Sequence, residues 1–287
     1  MATKKVAAAL EKRERTGSEK RTLGMEQIRR MLPKSGYIQM GGAIPKGFFA
    51  AEIVAMGMED SYCDIWSRTE HLDHRQRSLV TVAMMVGAGN VGNQFELGFH
   101  APAAIYNGVT VDELAAIVVH ARPYVGSPAS AWAHQSILNA LQEHGMLEDP
   151  GAPVDEDRRE ARGSDKRATA RDVLRDMEPD SPLLDVSEDA VADGFAAELD
   201  YMELESCYFD LWARTDVLDR HTRSLITIGM LIGLSNRGAL ADHIPVALRN
   251  GVTVPQLEEI VYQAATYLGF PTGRAARDVI AAMVASE

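Results

Sequence analysis

Glu96 and His100 stand four residues apart in QFELGFH, the pairing in this chain best suited to moving a proton. On a helix that spacing puts both side chains on one face, within reach of each other and of a shared substrate. Imidazole titrates near neutral pH, and an adjacent carboxylate orients it and raises its pKa, so the two can act as general acid and base. The same spacing also describes an exposed ion pair of little energetic weight, and spacing alone does not separate the two readings. Arg77 and its neighbour Arg75 are candidate contacts for a substrate carboxylate, since guanidinium forks match carboxylate geometry. Their structural alternative is an ion pair with a nearby acid such as Asp64 or Asp73. His74, Arg75 and His221 either add positive charge near the same helix start or are simply solvated.

Other chemistries are absent from the chain. It has no Gly-rich phosphate loop, nucleophile elbow or HExxH string, so neither a nucleotide cofactor nor a metal is implied. The two cysteines, Cys63 and Cys207, lack dithiol or zinc spacing and read as small, half-buried residues. A formal net charge of −12 argues against nucleic acid or an anionic membrane as partner, and any anionic substrate needs a local cationic pocket. No secretory leader or run of about 18 apolar residues occurs, so the cytoplasm is the expected compartment.

What must position these residues is a duplication. YCDIWSRTEHLDHRQRSL (Tyr62–Leu79) recurs as YFDLWARTDVLDRHTRSL (Tyr208–Leu225), with the same residue at 10 of 18 positions and an offset of 146. FAAE at Phe49–Glu52 recurs at Phe195–Glu198. Farther on the offset becomes 143, where NGVTVDEL pairs with NGVTVPQL and PYVGSP with TYLGFP. The expected units are residues 21–147 and 167–287, joined by a charged, Pro- and Gly-rich linker over 148–166, with a solvated tail over the first 20 residues. At 287 residues, each unit is long enough to bury a core of its own. His243 is the equivalent of His100, but Ala239 replaces Glu96. Arg223 matches Arg77, and Arg214 matches Arg68. Trp132 has Ala275 as its counterpart, so this lone aromatic either lines a pocket or packs an interface. Trp66 and Trp212 read as core anchors.

The punctuation within each unit is helical. Asp73 with Gln76, Thr110 with Glu113 and Thr253 with Gln256 have capping-box spacing. SLVTVAMMVGAG is apolar nearly all round, as a central buried helix requires. Gly108 suits a left-handed helix end, and helices are expected over Val111–Ala121 and Ala129–Glu143. The fold class is all-α, in two tandem homologous helical domains.

The string LDxxxRSL, an apolar helix, a histidine, NGVT and YxGxP resembles the carboxymuconolactone decarboxylase family, which includes the alkylhydroperoxidase D-like proteins. It covers most of each unit, so the chain looks like a fused two-domain member. The resemblance implies an all-helical fold whose modules pair and assemble about a threefold axis, here as a homo-oligomer, a trimer of two-domain chains. Peroxidase members resemble CxxCxxxH, whereas His100 is preceded at those places by Asn93 and Glu96, and His243 by Asn236 and Ala239. Without a thiolate, peroxide reduction is excluded. Members also carry Glu after the matched arginine, where this chain has Ser78 and Ser224. The resemblance further implies a cavity between modules, with Glu96 and His100 facing it near Tyr124 and Trp132.

The resulting expectation is a cofactor-free, decarboxylase-like lyase for a small unsaturated organic acid or lactone. Glu96, His100 and His243 are its catalytic candidates, and Arg75, Arg77, Tyr124 and Trp132 its substrate-binding candidates. Isomerisation or cyclisation of a related metabolite is one alternative. A catalytically silent ligand-binding or scaffold protein is the other, favoured by Ala239 and the two serines.

Overall fold

The computed structural model describes residues 10, 13–33, 51–89, 91–147, 153–187 and 195–286; the side chains of 91–95 lie outside that description. Among the described residues there is no strand. In the first repeat, α1 (Gly17–Met31) is followed by α2 (Ala51–Met56), which widens into a π-helix over Gly57–Ile65. Then come α3 (His74–Ala88), α4 (Val91–Tyr106), α5 (Val111–Val125) and α6 (Ser127–Glu143). After a short α7 (Glu156–Glu160) the second repeat gives α8 (Gly163–Met177), α9 (Leu199–Glu203) with its π-helix (Leu204–Trp212), and α10 (Arg220–Gly233). It ends with α11 (Arg237–Arg249), α12 (Val254–Tyr267) and α13 (Phe270–Ser286).

The local signals form as their chemistry requires. Asp73, Thr110 and Thr253 each accept from the third helical residue, and the Gln or Glu there returns a bond to the cap backbone. Gly108 and its equivalent Gly251 take φ of +88° and +86°, a region that costs glycine nothing. The helix expected over Val111–Ala121 runs on to Val125, carrying Tyr124 on its last turn.

Packing departs from two units with separate cores. One apolar cluster holds α3 and α10 together, with Leu79, Val82, Met84, Leu225, Ile228 and Met230 all buried. A helix that is apolar all round needs cover on every side, and the amphipathic helices of one repeat supply only part of it. The rest comes from the other repeat's central helix. Glycine sets how closely the two approach: a Cβ on Gly87 would lie 2.2 Å from the Met230 carbonyl oxygen, and one on Gly233 would lie 2.4 Å from that of Met84. Gly87 and Gly233 are equivalents under the duplication, as are Met84 and Met230, so the contact is related to itself by a pseudo-twofold.

The repeat also reaches farther upstream than the expected boundaries. Helix α1 starts at Gly17 behind a Thr16 capping box, and α8 starts at Gly163. Arg13 pairs with Asp64 at 2.8 Å, and Arg159, inside the stretch expected to be linker, pairs with the equivalent Asp210. Arg21 with Glu59 and Arg167 with Glu205 form a second equivalent pair. The recurrence of GSEKR at 17–21 as GSDKR at 163–167 is the signal for this extension.

Candidate functional site

Each π-helix delivers, at its C-terminal end, a tryptophan beneath a histidine two helices on: Trp66 beneath His100 of α4 and Trp212 beneath His243 of α11. A π turn spaces its backbone bonds five residues apart, as in Trp66 N–H to Ser61 O at 3.0 Å and Ala213 N–H to Tyr208 O at 2.8 Å. Trp66, fully buried, stacks on His100 with ring centroids 5.9 Å apart and planes 9° apart. The Tyr267 ring meets the same imidazole edge-on at 5.1 Å, and its hydroxyl accepts from Trp66 Nε1 at 2.8 Å. Phe99 closes another side at 5.1 Å. The second repeat builds the same cage: Trp212 stacks on His243 at 6.4 Å, Tyr124 lies 5.5 Å from it, and Trp212 Nε1 donates to Tyr124 Oη at 3.0 Å.

The tyrosines are exchanged between repeats. Tyr267 comes from the second repeat to wall the His100 pocket, and Tyr124 comes from the first to wall the His243 pocket. Tyr124 is therefore not a neighbour of Glu96 and His100, contrary to the expectation, because α5 and α12 cross to the opposite module at their C-terminal ends. Trp66, Phe99 and Tyr267 are the site residues that the sequence reading did not nominate. TYLGFP offered a signal for Tyr267, but nothing in it shows which module the tyrosine serves.

Glu96 and His100 do converge. Glu96 Oε2 lies 3.6 Å from His100 Nε2, with the carboxylate half-exposed and the imidazole 1% exposed. Neither ring nitrogen of His100 has a hydrogen-bond partner within the described protein. The electrostatics differ from expectation. Burial among aromatic rings pushes the His100 pKa down to about 3, outweighing the carboxylate, so the ring is neutral at pH 7. Burial also raises the Glu96 pKa, which favours its protonated form. His243 is held to about 4 by burial and His74 to about 4 by burial and two nearby arginines, so His74 adds no positive charge to the helix start.

The arginine candidates are committed within the protein. Arg75 pairs with the buried Glu113. Arg77 is fully buried; its Nη2 donates to Glu259 Oε2 at 3.0 Å and to Arg68 O at 2.5 Å, while Nη1 donates to Gln263 Oε1 at 3.0 Å. Arg68 meets the same Glu259 carboxylate through Nε and Nη2 at 2.6–3.1 Å. The acid is thus Glu259 of the other repeat rather than Asp64 or Asp73; Asp64 instead takes Lys20 and Arg13. Trp132 is half-buried against the shared core, in its own repeat's α6. Ser78 and Ser224 have equal roles, each accepting from the NGVT asparagine, Asn107 or Asn250, at 3.0 Å.

The His243 pocket differs in its polar groups. His120 replaces Gln263. The Thr227 hydroxyl donates to Arg223 O at 2.8 Å, so it accepts from His120 Nε2 at 2.7 Å. His120 Nδ1 is then the acceptor facing Arg223 Nη1 at 3.2 Å. Burial together with Arg223 holds this imidazole neutral. Cys207 Sγ lies 3.9 Å from Tyr124 Oη, with burial pushing its pKa up to about 12, and burial raises Cys63 as well, so both thiols stay protonated. Among the described residues no cluster of three or more His, Cys, Asp or Glu has the arrangement to hold a metal ion.

These features define an all-helical tandem-repeat protein with two related histidine pockets, each walled by both repeats. The sequence profile of the carboxymuconolactone decarboxylase family matches residues 58–136 and 203–282, and the chain belongs to that family. It is 39% identical over 67 residues to 4-carboxymuconolactone decarboxylase of Acinetobacter baylyi, covering 23% of this chain and 49% of that protein. It is 36% identical over 89 residues to nitrosuccinic acid decarboxylase npaB of Metarhizium robertsii, covering 30% of this chain and 59% of that protein. The chain thus spans about half the length of the curated relatives it matches.

Proposed function

We propose that this protein is a decarboxylase-type lyase for a small unsaturated organic acid or lactone, with the His100 pocket as its reaction site. The observation that carries the reading is a buried imidazole with both nitrogens unpartnered, caged by Trp66, Phe99 and Tyr267 and 3.6 Å from a carboxylate. An unpaired buried polar group is costly, and a substrate oxygen or carbon acid would supply the missing partner. The named activities of both relatives are decarboxylations of small acids, which supports the class.

Loss of CO₂ breaks a carbon–carbon bond and leaves its electron pair on the substrate, where an adjacent unsaturated carbonyl delocalises it as a dienolate. The substrate is its own electron sink, so this reading calls for no cofactor. The dienolate carbon then takes a proton. Glu96 is the better donor, because burial raises its pKa while its exposed edge exchanges protons with water. Neutral His100 orients the reacting group through its N–H and relays the proton from Glu96. The Tyr267 hydroxyl, already accepting from Trp66, has its proton free for a developing oxyanion. Since Arg75 and Arg77 are paired internally, with Glu113 and Glu259, neither is assigned to gripping the substrate. His243 lacks a Glu96 equivalent, which makes its pocket the lesser candidate for this chemistry.

Association into a homo-oligomer, a trimer in the family-like arrangement, belongs to the same proposal. Ile53 and Met56 are 70% and 53% exposed, and their equivalents Leu199 and Met202 are both 59% exposed, so each repeat presents a matching apolar pair. No described helix is long and apolar enough to cross a membrane. A cytoplasmic setting is likewise proposed.

The test is CO₂ release from a panel of small unsaturated acids and lactones by the full chain and by Glu96→Gln and His100→Gln. Acid–base participation predicts a fall in kcat of about 10²–10⁴-fold in each variant, with the fold retained. Undiminished turnover in His100→Gln would remove this pocket from the mechanism. Product formation without CO₂ would indicate isomerisation or cyclisation, and no turnover across the panel would favour a silent ligand-binding protein.

A further inference from the structure

The duplication allows one repeat to be read against the other at every position, and the sharpest difference lies around the buried arginines. Glu259, reaching over from the second repeat, bridges Arg68 and Arg77 of the first and accepts from three guanidinium nitrogens. The second repeat keeps both arginines, as Arg214 and Arg223, but the equivalent of Glu259 is Ala116. Arg68 also lies 4.6 Å beneath the ring of Tyr262, whose equivalent is Val119. Two large side chains, one of them the counterion, are thus shortened on the same face of α5.

Arg223 is 3% exposed. Its Nε donates to the carbonyls of Arg214 and Leu218 at 2.8 and 3.1 Å, and Nη1 faces His120. Among the described residues neither Arg223 nor Arg214 forms an ion pair with a carboxylate within 4 Å, whereas Arg68 and Arg77 both do. The nearby acids do not fill the gap: Asp155 is paired with Arg158 at 3.4 Å, and Asp216 acts on Arg223 only from longer range. A buried guanidinium without a counterion is expensive, because water that would solvate the charge is excluded. Arg223 itself is shielded, while its neighbours at the surface, Val119 at 47% exposure and the half-buried Arg214, leave a way in for a ligand.

We propose that the second repeat binds a small carboxylate anion on Arg214 and Arg223, at the place that the Glu259 carboxylate occupies in the first repeat. The ligand is a short-chain monocarboxylate, its two oxygens taking the roles of Glu259 Oε1 and Oε2 and its short aliphatic end lying over Ala116 and Val119. Two guanidinium groups give the local positive field that an anion needs on a chain of net charge −12. This site is separate from the His100 pocket, and it stands whether or not that pocket decarboxylates anything.

The experiment is thermal unfolding of the full chain in sodium acetate and in sodium chloride at matched ionic strength, with calorimetric titration of acetate. Binding to the native state alone raises Tm in a saturable way. The expected results are a larger rise in acetate than in chloride, and an Ala116→Glu variant that is more stable without acetate and no longer responds to it. Arg214→Met, at a half-buried position, keeps the proposal falsifiable where Ala116→Glu fails to fold; it should bind acetate about tenfold or more weakly. Equal effects of acetate and chloride on the parent chain would overturn the proposal. So would an acetate response that survives in Ala116→Glu, or an acetate affinity in Arg214→Met equal to that of the parent chain.

Discussion

Replacing Glu259 by alanine should destabilise the protein far more than an ordinary surface substitution. The carboxylate is buried, holds Arg68 at 2.6–3.1 Å and reaches Arg77 at 3.0 Å. Arg77 is fully buried, so it cannot turn to water when its counterion is removed. Breaking one side of such a pair leaves an uncompensated charge and costs about 3–5 kcal/mol, against roughly 0–1 kcal/mol for an exposed pair. Part of the loss is softened by groups that remain, since Gln263 Oε1 and Arg68 O still accept from Arg77. The lower end of the range, about 3 kcal/mol, is therefore expected. Equilibrium urea denaturation of Glu259→Ala and Glu259→Gln measures it, and removing Arg77 as well, as Arg77→Met with Glu259→Leu, should recover much of the loss. A Glu259→Ala cost below about 1 kcal/mol would refute the view that the carboxylate neutralises a buried charge across the repeats.

The helix crossing and the buried histidines give two further expectations. Gly87→Ala and Gly233→Ala should each cost about 1–3 kcal/mol by overpacking, since the new methyl meets a backbone carbonyl that cannot swing aside; equal tolerance of alanine at both in urea titrations would mean that the helices do not cross so closely. His74 and His100 are neutral in the fold, with pKa values of about 4 and about 3, against about 6.5 in the unfolded chain. Between those values the unfolded state binds more protons, so stability falls as pH drops below about 6.5. The loss is about 2 kcal/mol per histidine at pH 5. Thermal denaturation of the parent and of His100→Asn across pH 5–7.5 should show a shallower slope in the variant, and parallel curves would count against a depressed His100.

The sequence by itself determined the local and the periodic. Capping residues act on their own helix turn, so Asp73, Thr110 and Thr253 were legible one by one, as was the glycine that ends each NGVT turn. The duplication and the family followed from residue order alone, and i,i+4 spacing was enough to set Glu96 beside His100. Tertiary structure decided what depends on neighbours distant in sequence. Identical motifs in both repeats could not reveal that Tyr267 walls the His100 pocket and Tyr124 the His243 pocket. Nor could they show that Glu259, 182 residues away, holds Arg77. The charge state of His100 was hidden for the same reason: an adjacent carboxylate argues for a raised pKa, but burial among three aromatic rings outweighs it, and burial is a property of the assembled fold.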